Sequence, residues 1–156
     1  MIRRSLQTVV PATVVVLLAA CVPTVSLVVP PDATNVACAE IAVRLPQEVA
    51  GRQRRTTDAQ ATAAWGNPAA ALLRCGVPPP GPTALPCITV NGIDWIEDDS
   101  ENPHIRYMTF GRSPATEVVI DSALASGSNA LVDLAAAVEQ SAQTSKCTSV
   151  LDDEDR

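Results

Sequence analysis

The stretch that decides the fold is C-I-T-V-N-G-I-D-W-I-E, Cys87 to Glu97. Asn91-Gly92 is the preferred pair for a two-residue hairpin turn, because both turn positions need φ > 0. That turn fixes a register with Val90 opposite Ile93, Ile88 opposite Trp95 and Thr89 opposite Asp94. Ile88, Val90, Ile93 and Trp95 then share one apolar face, and Thr89 and Asp94 take the other. Turn chemistry and alternation agree on an antiparallel hairpin, with Asp94 expected on its solvent side.

Working outward, E-D-D-S-E-N-P-H (97–104) is predicted as an acidic loop. I-R-Y-M-T-F-G (105–111) alternates, with Ile105, Tyr107 and Thr109 on one side. A-T-E-V-V-I-D (115–121) is a further strand, and G-R-S-P-A a turn between the two. Upstream, A-A-A-L-L-R-C-G-V (69–77) reads as a buried strand that stops at a proline cluster, and the polar residues 47–64 as a loop. Asn35 can cap a helix over 36–45 that puts Cys38, Ile41, Ala42 and Leu45 on one face and ends at Pro46. Ser128 can cap a last helix, where Leu131, Leu134, Ala135, Val138 and Ala142 recur at helical period and Lys146 suits the C-terminal dipole. The order helix, four or five strands, helix predicts an α+β fold: a small antiparallel sheet with two helices packed on one face.

The N-terminus sets the compartment. Met1-Ile2-Arg3-Arg4 is a basic start, and no charged residue follows until after Pro31. T-V-V-P-A-T-V-V-V-L-L-A-A has the length and composition of a signal core. L-A-A-C, Leu18 to Cys21, has the small residues and thiol of a bacterial lipobox, which would make Cys21 the lipidation site. A second reading is an uncleaved anchor, since Thr8 to Val29 exceeds the roughly 20 residues that cross a bilayer. Free secretion is the third. All three export the rest of the chain. The expected organisation is a signal or start of an anchor over 1–21, an apolar, proline-rich tether over 22–34, a domain over 35–147 and an acidic, disordered tail over 148–156.

Of 156 residues 47% are hydrophobic, yet much of that is the leader and alanine, and the only aromatic side chains are Trp65, Trp95, Tyr107 and Phe110. The formal charge is −6 with Arg3 and Arg4 included, so the exported part is more acidic still. That balance disfavours nucleic acid and anionic lipid headgroups as partners. Cys38, Cys75, Cys87 and Cys147 are an even set in an oxidising compartment, which predicts two disulfides. The favoured pairing is Cys75–Cys87, pinning the proline-rich segment, with Cys38–Cys147 tying the domain ends. No C-x-x-C occurs and His104 is the lone imidazole, so neither a metal site nor a cofactor is indicated. No G-x-S-x-G turn accompanies His104, which leaves no catalytic residue to name.

Candidate binding residues are the basic patch Arg52, Arg54 and Arg55, suited to anionic wall polymer or lipid phosphate, and Trp65, Asp94 and Trp95, which could line a sugar platform. The bland reading of each is a solvated patch, core packing and hairpin decoration.

Four motifs carry a family resemblance: W-G-N-P (Trp65 to Pro68), R-C-G-V-P (Arg74 to Pro78), V-N-G-I-D-W (Val90 to Trp95) and Gly111-Arg112. With them the chain resembles an uncharacterised, exported actinobacterial family, the domain of unknown function numbered 3515, over roughly Cys38 to Cys147. The resemblance implies a membrane-associated protein and carries no activity to transfer. The expectation is a membrane-tethered extracytoplasmic envelope protein, held by lipid or an N-terminal helix. It would serve as a non-catalytic binding or accessory module for cell-wall polymer or another envelope protein. The alternative is an envelope hydrolase using Glu97, Asp98, Asp99 and Glu101.

Overall fold

The computed structural model describes residues 22–147. The basic start, Leu18 to Cys21 with the expected lipidation site, and the tail 148–156 lie outside the described residues. Two helices, α1 (Val36–Arg44) and α2 (Gly127–Val138), accompany ten strands: β1 (Glu48–Val49), β2 (Arg52–Arg55), β3 (Thr62–Trp65), β4 (Ala71–Val77), β5 (Cys87–Val90), β6 (Ile93–Glu101), β7 (His104–Thr109), β8 (Arg112–Ser113), β9 (Ala115–Asp121) and β10 (Ala142–Gln143).

Eight strands form one antiparallel sheet in the order β1-β2-β3-β4-β9-β7-β6-β5, and β8 pairs with β10 beside it. The hairpin has the expected register, with Asn91 at φ 47° and Gly92 at φ 78°. Ala71, Leu73 and Cys75 of β4 share a face with Val118 and Ile120 of β9, Tyr107 of β7, and Ile93 and Trp95 of β6. Both helices cover that face. Leu131, Leu134 and Val138 of α2 and Ile41 of α1 are fully buried there, each stabilising the fold by about 1.5–3 kcal/mol. The helix α2 packs against β9 and also against β1 and β5, the two edge strands. The sheet is therefore curled around it.

From β4 the chain crosses to the far edge, β5, and β9 later fills the place between β4 and β7. That crossing spans four strand spacings, about 19 Å, and residues 78–86 make it as an extended proline-rich segment. In polyproline conformation each residue gains about 3.1 Å, so nine suffice. Pro78, Pro80 and Leu85 lie over Ile96 and Met108 on the face opposite the helices, where a groove of about 410 Å³ remains.

The sheet has eight strands where the sequence predicts four or five, and β6 is longer and β7 starts earlier than expected. Residues 47–64 hold β1, β2 and most of β3 instead of a loop. The acidic stretch 97–104 is the long end of β6, a turn at Asn102-Pro103 and the start of β7. In both places exposed polar side chains hide strands whose pairing is carried by the backbone. Residues 22–34 are not a free tether. Val25 bridges Thr57, Leu27 N–H donates to Asp58, Asp32 N–H donates to the Gly76 carbonyl, and Pro30 and Ala33 are buried. Asn35 caps α1 through the Ala37 N–H at 3.0 Å. Ser126, not Ser128, caps α2, which ends at Val138, so Ala142 and Lys146 lie beyond it.

Both disulfides form, with the partners exchanged relative to the expectation: Cys38–Cys75 (Cα–Cα 5.5 Å) and Cys87–Cys147 (6.1 Å). Strand order explains the correction. Cys75 on β4 and Cys87 on β5 are separated by β9, β7 and β6, far beyond the roughly 7 Å a disulfide can bridge. Cys38 lies over Cys75 because α1 packs on β4.

Candidate functional site

The polar residues singled out from sequence divide between structure and surface. Trp65 and Trp95 are fully buried, so neither offers a ring face to a ligand; the Trp65 indole donates to the Pro46 carbonyl at 3.1 Å. Asp94 is buried rather than solvent-facing. Its carboxylate accepts from Thr89 Oγ1 (2.6 Å), Gln143 Nε2 (3.2 Å) and the Cys147 N–H (3.1 Å), and so fastens the C-terminal residues across the hairpin. Thr89 was visible as its cross-strand neighbour. Gln143 and Cys147 come from far along the chain, and no local pattern announces them.

The four carboxylates of the hydrolase reading lie along one strand, where successive side chains point to opposite faces. Glu97 accepts from Tyr107 Oη at 3.4 Å, Asp98 accepts from Ser100, and Glu101 sits 3.7 Å from Arg106. Hydrogen bonds from Ser100 hold the Asp98 carboxyl below the usual carboxylate range, and burial together with Glu97 pushes the Tyr107 phenol up to about 12. His104 is exposed, 3.9 Å from Asp121. Among the described residues no group of three His, Cys, Asp or Glu side chains is placed to hold a metal. No helix there is long and apolar enough to cross a membrane.

On the outer face, Glu117 accepts from Arg74 Nε (2.9 Å) and Nη2 (2.6 Å), with Arg106 Nε at 3.6 Å. The sequence carried a signal for this pair: a single Arg in the apolar run of β4 and a single Glu in that of β9, which the strand register sets opposite one another.

What the structure does assemble is the arginine patch. Arg52, Arg54 and Arg55 lie on β2, where the register turns Arg52 and Arg54 toward the helix-covered face and Arg55 toward the other, and the strand with Gly66, Asn67 and Val22 lines a groove of about 420 Å³. Each guanidinium is aimed at backbone oxygen. Arg52 donates to the Leu124 carbonyl, Arg54 to that of Leu45 (3.3 Å), and Arg55 to those of Gly66 (3.0 Å) and Pro23. Carbonyl acceptors orient these cations without neutralising them. Among the described residues none of the three makes an ion pair, while the nearby carboxylates bond elsewhere: Glu48 to Gln53, Asp58 to Ser26 and Leu27, Asp133 to the Ala50 N–H. Chemically the groove is a fixed positive site suited to phosphate or carboxylate oxygens.

No curated protein and no solved structure matches the chain. The family model described as "Protein of unknown function (DUF3515)" matches residues 6–147, most of the sequence, and the chain belongs to that family.

Proposed function

We propose that the protein is a membrane-tethered extracytoplasmic module of the cell envelope that binds or supports a partner rather than catalysing a reaction. The observation that carries this reading is the pair of disulfides. Cys38–Cys75 fixes α1 to the middle of the sheet, and Cys87–Cys147 fixes an edge strand to the last described residue. Such bonds persist in oxidising compartments and are reduced in the cytosol. The basic start and apolar leader supply the route to such a compartment. The packing of residues 25–33 favours a short tether. A span reaching Val29 would strip the hydrogen bonds of Val25 and Leu27 from the domain, whereas lipid on Cys21 leaves them intact.

Fractionation of host cells, quenched with acid and labelled with a maleimide polymer, tests the proposal. The chain should sediment with membranes and show no labelling at Cys38, Cys75, Cys87 or Cys147 until reduced. A cytosolic chain with four reactive thiols at those positions would refute it.

A further inference from the structure

We infer that the arginine groove on β2 seats the phosphate headgroup of an anionic lipid and thereby sets the orientation of the domain on the membrane; this rests on the tethered reading above. Three observations converge. First, the groove lies at the point where the leader joins the domain. Val22 is one of its walls, and Arg55 donates to the carbonyl of Pro23. Cys21 is the residue next to Val22 along the chain. A tether at that position brings the bilayer surface and the arginines to the same end of the molecule.

Second, the charge is available. A guanidinium has five N–H donors, and the carbonyl bonds described above use one from Arg52, one from Arg54 and two from Arg55. The Arg55 Nε is buried with no protein partner. The acidic chain otherwise repels an anionic surface at its net charge of −6. A positive site confined to the root of the domain lets the rest face away from the membrane.

Third, the chemistry matches. A phosphodiester offers two oxygens in the plane a guanidinium fork prefers. The groove, at about 420 Å³, falls within the range of small-ligand sites.

The test uses the full chain, carried by its own N-terminal segment. It is placed in nanodiscs of phosphatidylcholine alone or of an equal mixture of phosphatidylcholine and phosphatidylglycerol. Phenylglyoxal labelling of each arginine is followed by peptide mass mapping. Arg52 and Arg55 should react about fivefold more slowly on the mixed discs, the protection expected from one arginine at an anionic surface. High salt should abolish the difference. Arg44, which pairs with Glu40 on α1, should react equally on both. Equal rates at Arg52 and Arg55 with the chain retained on the discs would overturn the inference and leave the tether standing. A chain retained on neither disc would overturn both. Millimolar inorganic phosphate giving the same protection on phosphatidylcholine discs would show a site for free anions and overturn the headgroup assignment.

Discussion

Removing the Cys87–Cys147 bond should cost about 4 kcal/mol. The bond spans 60 residues, and in the chain-entropy account a loop of that size restricts the unfolded ensemble by about 14 cal/mol/K, or roughly 4 kcal/mol at 25 °C. Cys87 is exposed and Cys147 half-buried, so Cys87→Ser with Cys147→Ser removes little packing, and the loss reports the crosslink itself. With a urea m-value of about 2 kcal/mol/M, the unfolding midpoint should fall by about 2 M. The same variant tests the pairing. With the bonds as observed, Cys38 and Cys75 remain joined, and no free thiol appears beyond Cys21. With Cys75–Cys87 and Cys38–Cys147 pairing, two thiols would be set free. Equilibrium unfolding followed by far-UV circular dichroism, with a thiol count on the native variant, reads both outcomes. A midpoint shift below about 0.5 M, or two titratable thiols, would refute the reasoning.

Three further outcomes are expected. Arg74→Met should cost about 2 kcal/mol, because it removes both hydrogen bonds from Glu117, which is only 5% exposed, and leaves it only the longer ion pair with Arg106 at 3.6 Å. Glu117→Gln should cost less, since Arg74 can reach water; equal losses in chemical denaturation would count against this asymmetry. Gly76→Ala should be among the most damaging single changes, measured as thermal midpoint. Gly76 has φ 95°, and an added Cβ would lie 2.5 Å from the Asp32 carbonyl carbon, a backbone clash that a neighbouring side chain cannot relieve. Tyr107 should resist ionisation until about pH 12 in an ultraviolet titration. The unfolded chain loses that proton near pH 10, so the phenol's contribution to stability is complete below pH 10 and declines as pH rises toward 12. A phenol titrating near pH 10 in the folded protein would contradict its burial.

How much was legible depended on how local the cause was. The turn at Asn91-Gly92 needs only two residues with φ > 0, so its register was readable to the residue. The cap at Asn35 and the strand over 115–121 were readable for the same kind of reason. β1 to β3 were hidden because Arg52 to Arg55 lacks alternation, and its pairing is carried by backbone groups that every sequence has. The disulfide partners depended on β9 entering between β4 and β7, a non-local choice that places Cys75 and Cys87 far apart. Asp94 misled because its alternation was right and its environment was not. The hairpin's second face is closed by residues 143–147, which arrive from the other end of the domain. For the basic patch the residue types were plain, but its position beside Val22 emerges only from the packing of residues 22–27 along 55–58.

The two crosslinks fasten α1 and the edge strand β5 to the rest of the fold. α1 meets the sheet through its apolar face, and its cap is internal to its own turn; the bonds that hold it come at its ends, from Asp32 N–H to the Gly76 carbonyl and from Arg54 to the Leu45 carbonyl, and Cys38–Cys75 ties its body to β4. β5 is an edge strand entered from a proline-rich crossing that cannot donate to a ladder. It pairs on one side only, and Cys87 ties its open end to the C-terminal residues. Those residues are otherwise held by β10, by the Thr144 bonds to the Gly111 carbonyl and by Asp94. A buried carboxylate is tolerable only while its donors stay in place, so Asp94 depends on the same fastening that the disulfide secures. Oxidation and burial are thus coupled at one end of the sheet. At the other edge, Arg52, Arg54 and Arg55 are oriented by carbonyl oxygen and make no ion pair among the described residues.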